Sequence, residues 1–284
     1  MSSISDFCDP FFNRYNPTKK YRRLVMWTEH NKYLPDGYVE RLKIKYGKNK
    51  NLAKAHLYGE FCDLLEGSAY PDFDEYSDHV QDVALFGLPT PSTPIKFSWD
   101  WNVNPLAWVA CSRVYLNMEY GRRLKYIFHG ESSGQSSQIE DGVIEFALQY
   151  PVHLYEHTEI RIHGDATGHR RDVRKRGDCF DEVIEQMKKL GYKNVIDVSP
   201  DSNPLVPVRV ARVNSLFYSD HIIIAKHLRN LIKSYNGTAW KQGTFELAKP
   251  QSDQLTHWSD ASDYVLFDLS ELDSKKLDLP TIVF

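Results

Sequence analysis

The segment IKFSWDW, Ile95–Trp101, decides the fold class of this chain, because it opens a series of apolar and aromatic segments separated by short turns. The segments LAWVACSRVYLN (Leu106–Asn117) and RRLKYIFHGES (Arg122–Ser132) follow it. β-Branched and aromatic residues are enriched in strands, and the residues MEYG that join the last two segments are typical of a turn. The three segments therefore predict the strands of an antiparallel meander.

After the meander, helical and strand patterns alternate along the chain. The apolar residues of Ser136–Pro151 recur at helical spacing up to the proline, and Cys179–Tyr192 predicts a second helix that Gly191 terminates. EIRIHGDATG (Glu159–Gly168) and KNVIDV (Lys193–Val198) predict the fourth and fifth strands.

The C-terminal third continues the alternation. Its predicted elements are a helix at Pro207–Tyr218, a short strand at His221–Lys226 and two further helices at His227–Tyr235 and Thr256–Leu269. Three antiparallel strands followed by α/β alternation predict an α/β fold, with a mixed five-stranded sheet flanked by helices. The fold class alone indicates no function, because one fold hosts many.

The first ninety residues follow a different pattern. They contain Asn- and Lys-rich turns and short helical patterns such as Tyr38–Tyr46, without alternation of strand and helix. Proline fixes φ and cannot donate to a β-ladder, so the segment LPTPSTP (Leu88–Pro94) marks a boundary. We predict a helical or irregular N-terminal appendage at 1–90 and a folded α/β domain at 91–284.

Composition excludes several classes of protein. The four cysteines form no CxxC pair, which argues against a structural zinc site and for reduced thiols. The chain contains no apolar run near the roughly 18 residues of a membrane span, and its N-terminus lacks the apolar core of a signal peptide. We therefore expect a cytoplasmic protein that is neither secreted nor bound to a membrane. Because the net charge is −3, any contact with DNA must come from local basic patches.

Three acids lie at the predicted strand ends. Asp100 is flanked by Trp99 and Trp101, and a carboxylate in such surroundings costs several kcal/mol unless it is paired or binds a metal. Asp165 lies in HGDATGHR where a strand ends, and Glu131 ends the third strand. The alternatives are a solvent-facing Asp100, a turn-forming Asp165 and a Glu131 that caps the helix following Gly134.

The last predicted helix adds a second set of candidate ligands. His257, Asp260, Asp263 and Tyr264 recur at a spacing that places side chains on one helix face, although such residues also form surface caps. Acids at two strand ends and on one helix suit a carboxylate site for hard divalent cations. Hydrolysis of a phosphodiester uses such a site, because two ions roughly 4 Å apart stabilise both the attacking and the leaving oxygen.

These segments, taken in order, resemble a known family. FSWDWNVNPLAW resembles the first nuclease strand of phage large terminases, and HGDATGHRRDVRKRGDCFDEVIEQMKKLG resembles their Gly-Asp strand end with its following helix. THWSDASDYVLF resembles their closing helix, and VRVARVNSLFY and HIIIAKHLRNLIKSY resemble the segments between. The similarity covers about Ile95 to Leu269. WTEHNKYLPDGYVERL and LAKAHLYGEFCDLLEGSAYPDF resemble the stretch that links the packaging ATPase to the nuclease.

The resemblance implies a ribonuclease H-like fold and a two-metal endodeoxyribonuclease that uses Mg²⁺ or Mn²⁺. It implies cutting of concatemeric viral DNA in the host cytoplasm, with double-stranded DNA, a packaging ATPase, a small terminase subunit and the portal or procapsid as partners. By motif, the implied catalytic and metal-binding residues are Asp100, Asp165, Asp260, Glu131, His257 and Asp263. Asp263 stands where many relatives have a small residue, so Asp260 and Asp263 remain alternatives for the helix ligand.

The chain contains no G-x-x-x-x-G-K-[ST] motif, so we expect no ATP site in it. Alternatives to the terminase function are a stand-alone ribonuclease H-like resolvase or exonuclease, and a non-catalytic module that binds DNA or docks on the procapsid. Basic residues next to the predicted site favour contact with the DNA backbone, which positions DNA without specifying its sequence. The candidates are Arg170, Arg171, Arg174, Lys175, Arg176, Arg209 and Arg212.

Overall fold

The structure of the protein, a computed structural model, describes residues 27–46, 67–101, 105–118, 121–135, 138–170, 177–241, 244, 246–248 and 256–267. A seven-stranded mixed sheet forms its centre, in the order β1-β7-β4-β3-β2-β5-β6. In chain order the strands are β1 Val80–Gln81, β2 Ile95–Asp100, β3 Ala107–Met118, β4 Gly121–Glu131, β5 Ile160–Gly164, β6 Val195–Asp197 and β7 Ile222–Ala225.

The predicted meander is the middle of this sheet. β2 pairs antiparallel with β3, and β3 with β4, while β5 and β7 join the meander on either side as parallel strands. In the parallel pair of β2 and β5, Trp99 lies opposite Gly164. The carboxyl ends of the two strands therefore meet at one edge, and the residues that follow the register pair, Asp100 and Asp165, come together there.

Helices cover both faces of the sheet. They are α1 Tyr38–Tyr46, α2 Ile139–Gln149, α3 Val152–Tyr155, α4 Cys179–Leu190, α5 Val206–Tyr218, α6 Arg229–Gly237 and α7 Thr256–Leu266. One buried core joins α2 and α4 to the face of β2 that carries Phe97 and Trp99. The other joins α5, α6 and α7 to the opposite face, where Val109 and Ile223 lie. The predicted α/β class, a mixed sheet flanked by helices, is confirmed.

Every residue of helix α7 except the partly exposed His257 is buried, its small and polar residues included. Ser98 on β2 donates to the carbonyl of Ala261 at 2.7 Å, so the helix backbone lies close to the sheet. Ser259 accepts from Ser234 of α6 at 2.9 Å. Buried polar groups require such partners, and these contacts fix α7 across the ends of the strands that carry the candidate site.

The sheet has seven strands, whereas the prediction was a five-stranded sheet. The short strand predicted at His221–Lys226 is β7 of this sheet. Only β1 was not predicted as a strand; it lies within the predicted appendage and pairs with β7. A two-residue strand carries no alternation that a sequence pattern could show. Tyr70 and Phe73 of the same stretch are buried in the core that contains α5 to α7. The boundary at residue 90 stays a prediction, and within the described residues no helix is both long and apolar enough to cross a membrane.

Candidate active-site cleft

A cleft of about 600 Å³ opens at the edge where β2 and β5 end. Helix α7 packs against both strands and contributes Asp260 and Tyr264 to the cleft lining. The cleft residues come from strand ends, from α5 and α7 and from the loops between them: Asp100, Asp165, Asn203, Pro204, Val206, Arg209, Lys241, Glu246, Leu247, Asp260 and Tyr264. Three of the acids selected from the sequence, Asp100, Asp165 and Asp260, thus share one cavity.

Asp100 is buried, with 5% of its surface exposed, on the sheet face that α7 covers. Its neighbours Trp99 and Trp101 stack on each other at 5.4 Å on the opposite side of the strand, as period-two alternation predicts. His257 of α7 reaches Asp100 with Nδ1, 2.8 Å from Oδ2. This contact connects the first strand to the last helix, two elements more than 150 residues apart in sequence.

Asp165 is half-buried and is held by neutral donors. Its Oδ1 accepts from the Asn203 amide at 2.6 Å and from the backbone N–H of Thr167 at 2.7 Å. Asn203 also accepts from the N–H of Ala166 at 2.8 Å, so its side-chain amide connects the carboxylate of Asp165 to the backbone of the next residue. Burial acts to raise the pKa of Asp165, but the hydrogen bonds from Asn203 and Thr167 lower it below its ordinary value.

The turn after Asp165 is fixed by the aromatic pair beneath it. Trp101 donates from Nε1 to the carbonyl of Asp165 at 2.8 Å. Gly168 lies against this indole, and a Cβ at that position would clash with Trp101 and come within 2.7 Å of Phe180. Gly168, the second glycine of GDATG, is therefore required by the close approach of the turn to Trp101. This close approach keeps Asp165 at the cleft edge.

Asp260 of α7 is 4% exposed and is held by a cation. The Arg209 guanidinium on α5 donates from Nη2 to its Oδ1. The Nε of Arg209 lies 3.2 Å from Oδ2 of Asp263, which also accepts from the hydroxyl of Tyr70 at 2.7 Å. Arg209 thus bridges one aspartate that lines the cleft and another that is fully buried.

The electrostatics of this bridge are dominated by burial. Burial raises the pKa of the Asp263 carboxyl to about 7, against the lowering effects of Arg209 and of the Tyr70 hydrogen bond. Burial alone would lower the pKa of Arg209, but Asp260 and Asp263 raise it above its ordinary value. Arg209 therefore stays charged, because the two neighbouring carboxylates stabilise the protonated guanidinium and oppose the loss of its proton.

Tyr264 lies where the three carboxylates converge. Burial raises the pKa of its hydroxyl well above the ordinary value; Arg209 acts to lower it, and Asp165, Asp260 and Asp100 all raise it further. The side chain of Tyr264 also lines the cleft, with the Arg209 guanidinium 4.7 Å from its ring centre. Asp100, Asp165 and Asp260 therefore all lie near Tyr264 in one cleft.

The chemistry of this donor set fits a hard divalent cation, which prefers carboxylate oxygens. In the part of the chain that is described, however, no group of three or more His, Cys, Asp or Glu side chains is arranged to hold a metal as it stands. Asp100, Asp165 and Asp260 each have one oxygen engaged by another side chain, namely His257, Asn203 and Arg209 respectively. The residues fit a metal by type, charge and location.

Glu131 is placed differently from the other acids. Its carboxylate accepts from the backbone N–H groups of Asn230 at 3.0 Å and Leu231 at 2.8 Å, so it caps the N-terminus of α6. Burial raises its pKa to about 7, against the lowering effect of these hydrogen bonds. Glu131 does not line the cleft described above. It caps α6 and not α2, the helix after Gly134 that the alternative named.

The basic residues predicted to contact DNA differ in exposure, and several lie outside the described residues. Arg170 is exposed at the end of the Asp165 turn, and Arg171, Arg174, Lys175 and Arg176 fall outside the described residues. Arg212 is half-buried on α5, and burial lowers its pKa. Arg209 is 3% exposed and engaged by carboxylates, which leaves little of it for a phosphate.

Sequence patterns did not indicate two residues of this site, Asn203 and Tyr70, and they indicated a third, Tyr264, only by its spacing. Asn203 follows β6 in an Asp-Ser-Asn-Pro loop, a composition typical of turns, so its contact with Asp165 had no signal. Tyr70 lies 193 residues from its partner Asp263. Tyr264 shares the predicted helix face with Asp260, and this i, i+4 spacing was the only indication of its place in the cleft.

No protein-family model and no curated protein matches the chain. By structure, the chain is similar to the large terminase from the thermophilic bacteriophage D6E, with a TM-score of 0.55 to its complex with ADP and 0.54 to its complex with ATP-gamma-S. Both matches are 15% identical and cover 88% of this chain and 56% of that chain. The P22 large terminase nuclease domain matches at 12% identity and a TM-score of 0.46, over 69% of this chain and 89% of that one.

The chain thus spans about half the length of the D6E large terminase structures that it matches. At 15% identity, this likeness establishes a shared fold. The similarity to large terminases that the sequence motifs indicate is confirmed at the level of the fold.

Proposed function

We propose that this chain is the nuclease part of a large terminase, a metal-dependent endodeoxyribonuclease that cuts concatemeric viral DNA during genome packaging. The observation that carries the proposal is the convergence of Asp100, Asp165 and Asp260 in one cleft around Tyr264. The three acids come from two strand ends and one helix, and each belongs to a motif that resembles the terminase nuclease pattern. The fold shared with the D6E large terminase supports the same assignment.

Asp100, Asp165 and Asp260 would hold two Mg²⁺ or Mn²⁺ ions. Bound there, the ions would activate a water molecule and stabilise the negative charge on the leaving oxygen. His257 keeps Asp100 oriented through its Nδ1 contact. Asn203 and Thr167 keep Asp165 ionised and fixed at the strand end, since their hydrogen bonds favour the carboxylate form.

DNA binding is assigned to the segment that follows Asp165. Arg170 is exposed next to the cleft, and four more basic residues follow it before Gly177. Contacts from such side chains to phosphates would place the backbone of double-stranded DNA over the carboxylates without reading its sequence. Lys241, exposed and paired with Glu246 at 3.4 Å, adds a cation among the cleft residues.

The remaining parts of the packaging machine would be supplied by partners. The chain has no phosphate-binding loop motif, so ATP hydrolysis is assigned to a packaging ATPase. A small terminase subunit and the portal or procapsid complete the proposed set, and the host cytoplasm is the proposed place of action.

The proposal is tested by nicking or linearisation of supercoiled plasmid DNA. Cleavage is expected with Mn²⁺ or Mg²⁺ and none with EDTA. Asp100→Asn, Asp165→Asn and Asp260→Asn should each lower the rate by about a thousandfold or more, and any double variant should be no worse than a single one, because members of one catalytic unit are non-additive.

The matched control is Asp181→Asn, which changes an exposed acid at the start of α4, outside the cleft. Activity that survives chelation would contradict metal dependence. Near-normal cleavage by a folded Asp100→Asn or Asp165→Asn protein would contradict the site.

A further inference from the structure

We propose that Arg209 is an internal cation that holds Asp260 in the metal-free protein and competes with the divalent metal for this carboxylate. The inference rests on the proposed function in one respect, namely that Asp260 is a metal ligand. The inference goes beyond the proposed function in two ways. It assigns the pairing of Asp260 with Arg209 to the cleft before metal binds, and it gives Arg209 a role other than contact with DNA.

The first support is the position of the guanidinium. Arg209 is 3% exposed, and its Nη2 donates to Oδ1 of Asp260. A buried charge costs several kcal/mol unless it is paired, so this arginine cannot be explained as a surface group that happens to lie near an acid. Its guanidinium also lies 4.7 Å from the ring centre of Tyr264, at the point where the cleft carboxylates converge.

The second support is the anchor behind the arginine. Asp263 is fully buried, lies 3.2 Å from Nε of Arg209 and accepts a 2.7 Å hydrogen bond from Tyr70. With its carboxyl ionised, Asp263 forms a neutral pair with Arg209. Arg209 therefore remains compensated when Asp260 turns toward a metal, and the exchange leaves no buried cation without a counter-charge.

The third support is the arrangement of the carboxylates. The three proposed ligands Asp100, Asp165 and Asp260 all line the cleft, yet the described side chains contain no group of three that is set to hold a metal. One oxygen of Asp260 is engaged by Arg209, the proposed competing cation, and this contact accounts for the position of the Asp260 side chain. Turning Asp260 from Arg209 to a metal exchanges one cation for another of higher charge.

The inference also separates the two aspartates of α7. Asp260 lines the cleft and moves between arginine and metal, whereas Asp263 remains with Arg209 and Tyr70. Tyr70 precedes the sheet in sequence, so the stretch at 67–73 contributes to the resting state of the cleft.

The experiment is an isothermal titration of Mn²⁺ into metal-free wild type and Arg209→Gln, with melting temperatures measured with and without Mn²⁺. Removing a competing cation a few ångströms from the ligand should tighten Mn²⁺ binding by about tenfold or more. Without metal, the variant should melt below wild type because two buried carboxylates lose their counter-ion. Mn²⁺ should then raise its melting temperature by more than it raises that of wild type.

Lys125→Gln is the matched control. Lys125 is also a buried cation, 1% exposed and paired with Asp220 at 3.1 Å, but it lies outside the cleft. This variant should lose stability and keep the Mn²⁺ affinity of wild type. The double variant Arg209→Gln, Asp263→Asn removes a cation and an anion together, and it should fold and bind Mn²⁺ more tightly than wild type because Asp260 is released.

The outcomes separate the inference from the proposed function. Mn²⁺ binding by wild type that is unchanged or weakened in both Arg209 variants would overturn the inference alone. No Mn²⁺ binding by wild type or by either variant would overturn both. Binding that appears only in the variants would support the inference in its strongest form, with Arg209 excluding the metal from wild type.

Discussion

Asp165 and Asp260 line the same cleft, but the groups that hold them differ in charge and in burial. Asp165 lies half-buried at a strand end and accepts from an amide and a backbone N–H, which are neutral. Asp260 lies on a buried helix and is held by a guanidinium that a second carboxylate anchors. Neutral donors orient an anion and leave its charge available to a cation, whereas a guanidinium cancels that charge. We infer that the Asp165 side of the cleft is ready for metal and that the Asp260 side must first be released.

The largest expected difference between the two sides is in stability. Asp260→Asn breaks a buried ion pair, and we expect it to lower the free energy of unfolding without metal by about 2 kcal/mol. That is less than the roughly 3–5 kcal/mol for an uncompensated charge, because Asp263 still pairs with Arg209. Asp165→Asn loses only hydrogen bonds to neutral donors and should change stability by about 1 kcal/mol or less. Urea denaturation measures both values, and equal losses would remove the distinction between the two sides.

The second prediction concerns the neutral side alone. Asn203→Ala removes the amide that bridges Asp165 and Ala166, so the carboxylate loses a fixed orientation. We expect Mn²⁺ binding to weaken by about tenfold, at the lower end of the effects of groups that orient metal ligands. Ser202→Ala changes the exposed neighbour of Asn203 and serves as the control. An affinity that Asn203→Ala leaves intact would show that the backbone turn alone positions Asp165.

The third and smallest effect compares the exposed and the buried arginines. Replacing Arg170, Arg171 and Arg174 by Ala should weaken DNA binding and flatten its dependence on the logarithm of salt concentration by about 0.9 for each phosphate that the protein no longer neutralises. Arg209→Gln should leave this slope unchanged, because its guanidinium faces carboxylates. Fluorescence anisotropy with a DNA duplex over a range of salt measures both slopes. If the triple replacement does not alter the slope, these arginines face solvent and do not contact DNA phosphates.

The sequence predicted the parts of the fold that repeat regularly. The meander at β2 to β4 and the helices α4 to α7 follow from alternation and helical spacing, with bounds within a few residues of those observed. β1 escaped prediction because two residues hold no period, and its pairing with β7 depends on a contact across more than 140 residues.

Part of the site could be selected from the sequence as well. Asp100 stood out because a charged residue between two tryptophans requires a partner, and the structure supplies His257. Asp165 stood out because it ends a strand before a glycine-bounded turn. Glu131 satisfied the same rule, yet its carboxylate caps α6, since the position of that helix terminus is a property of the packed chain.

What the sequence determined by itself is local: the strands, the helices, and the acids that end two strands and lie along one helix. Those features depend on periodicity and on the cost of burying charge, which neighbouring residues already define. Only the tertiary structure decided which helix acid lines the cleft and which is buried with Arg209 and Tyr70. Asp260 and Asp263 are three residues apart and share a helix face by spacing. What separates them is the packing of α7 against α5 and the sheet, and packing depends on contacts between distant segments that no local pattern records.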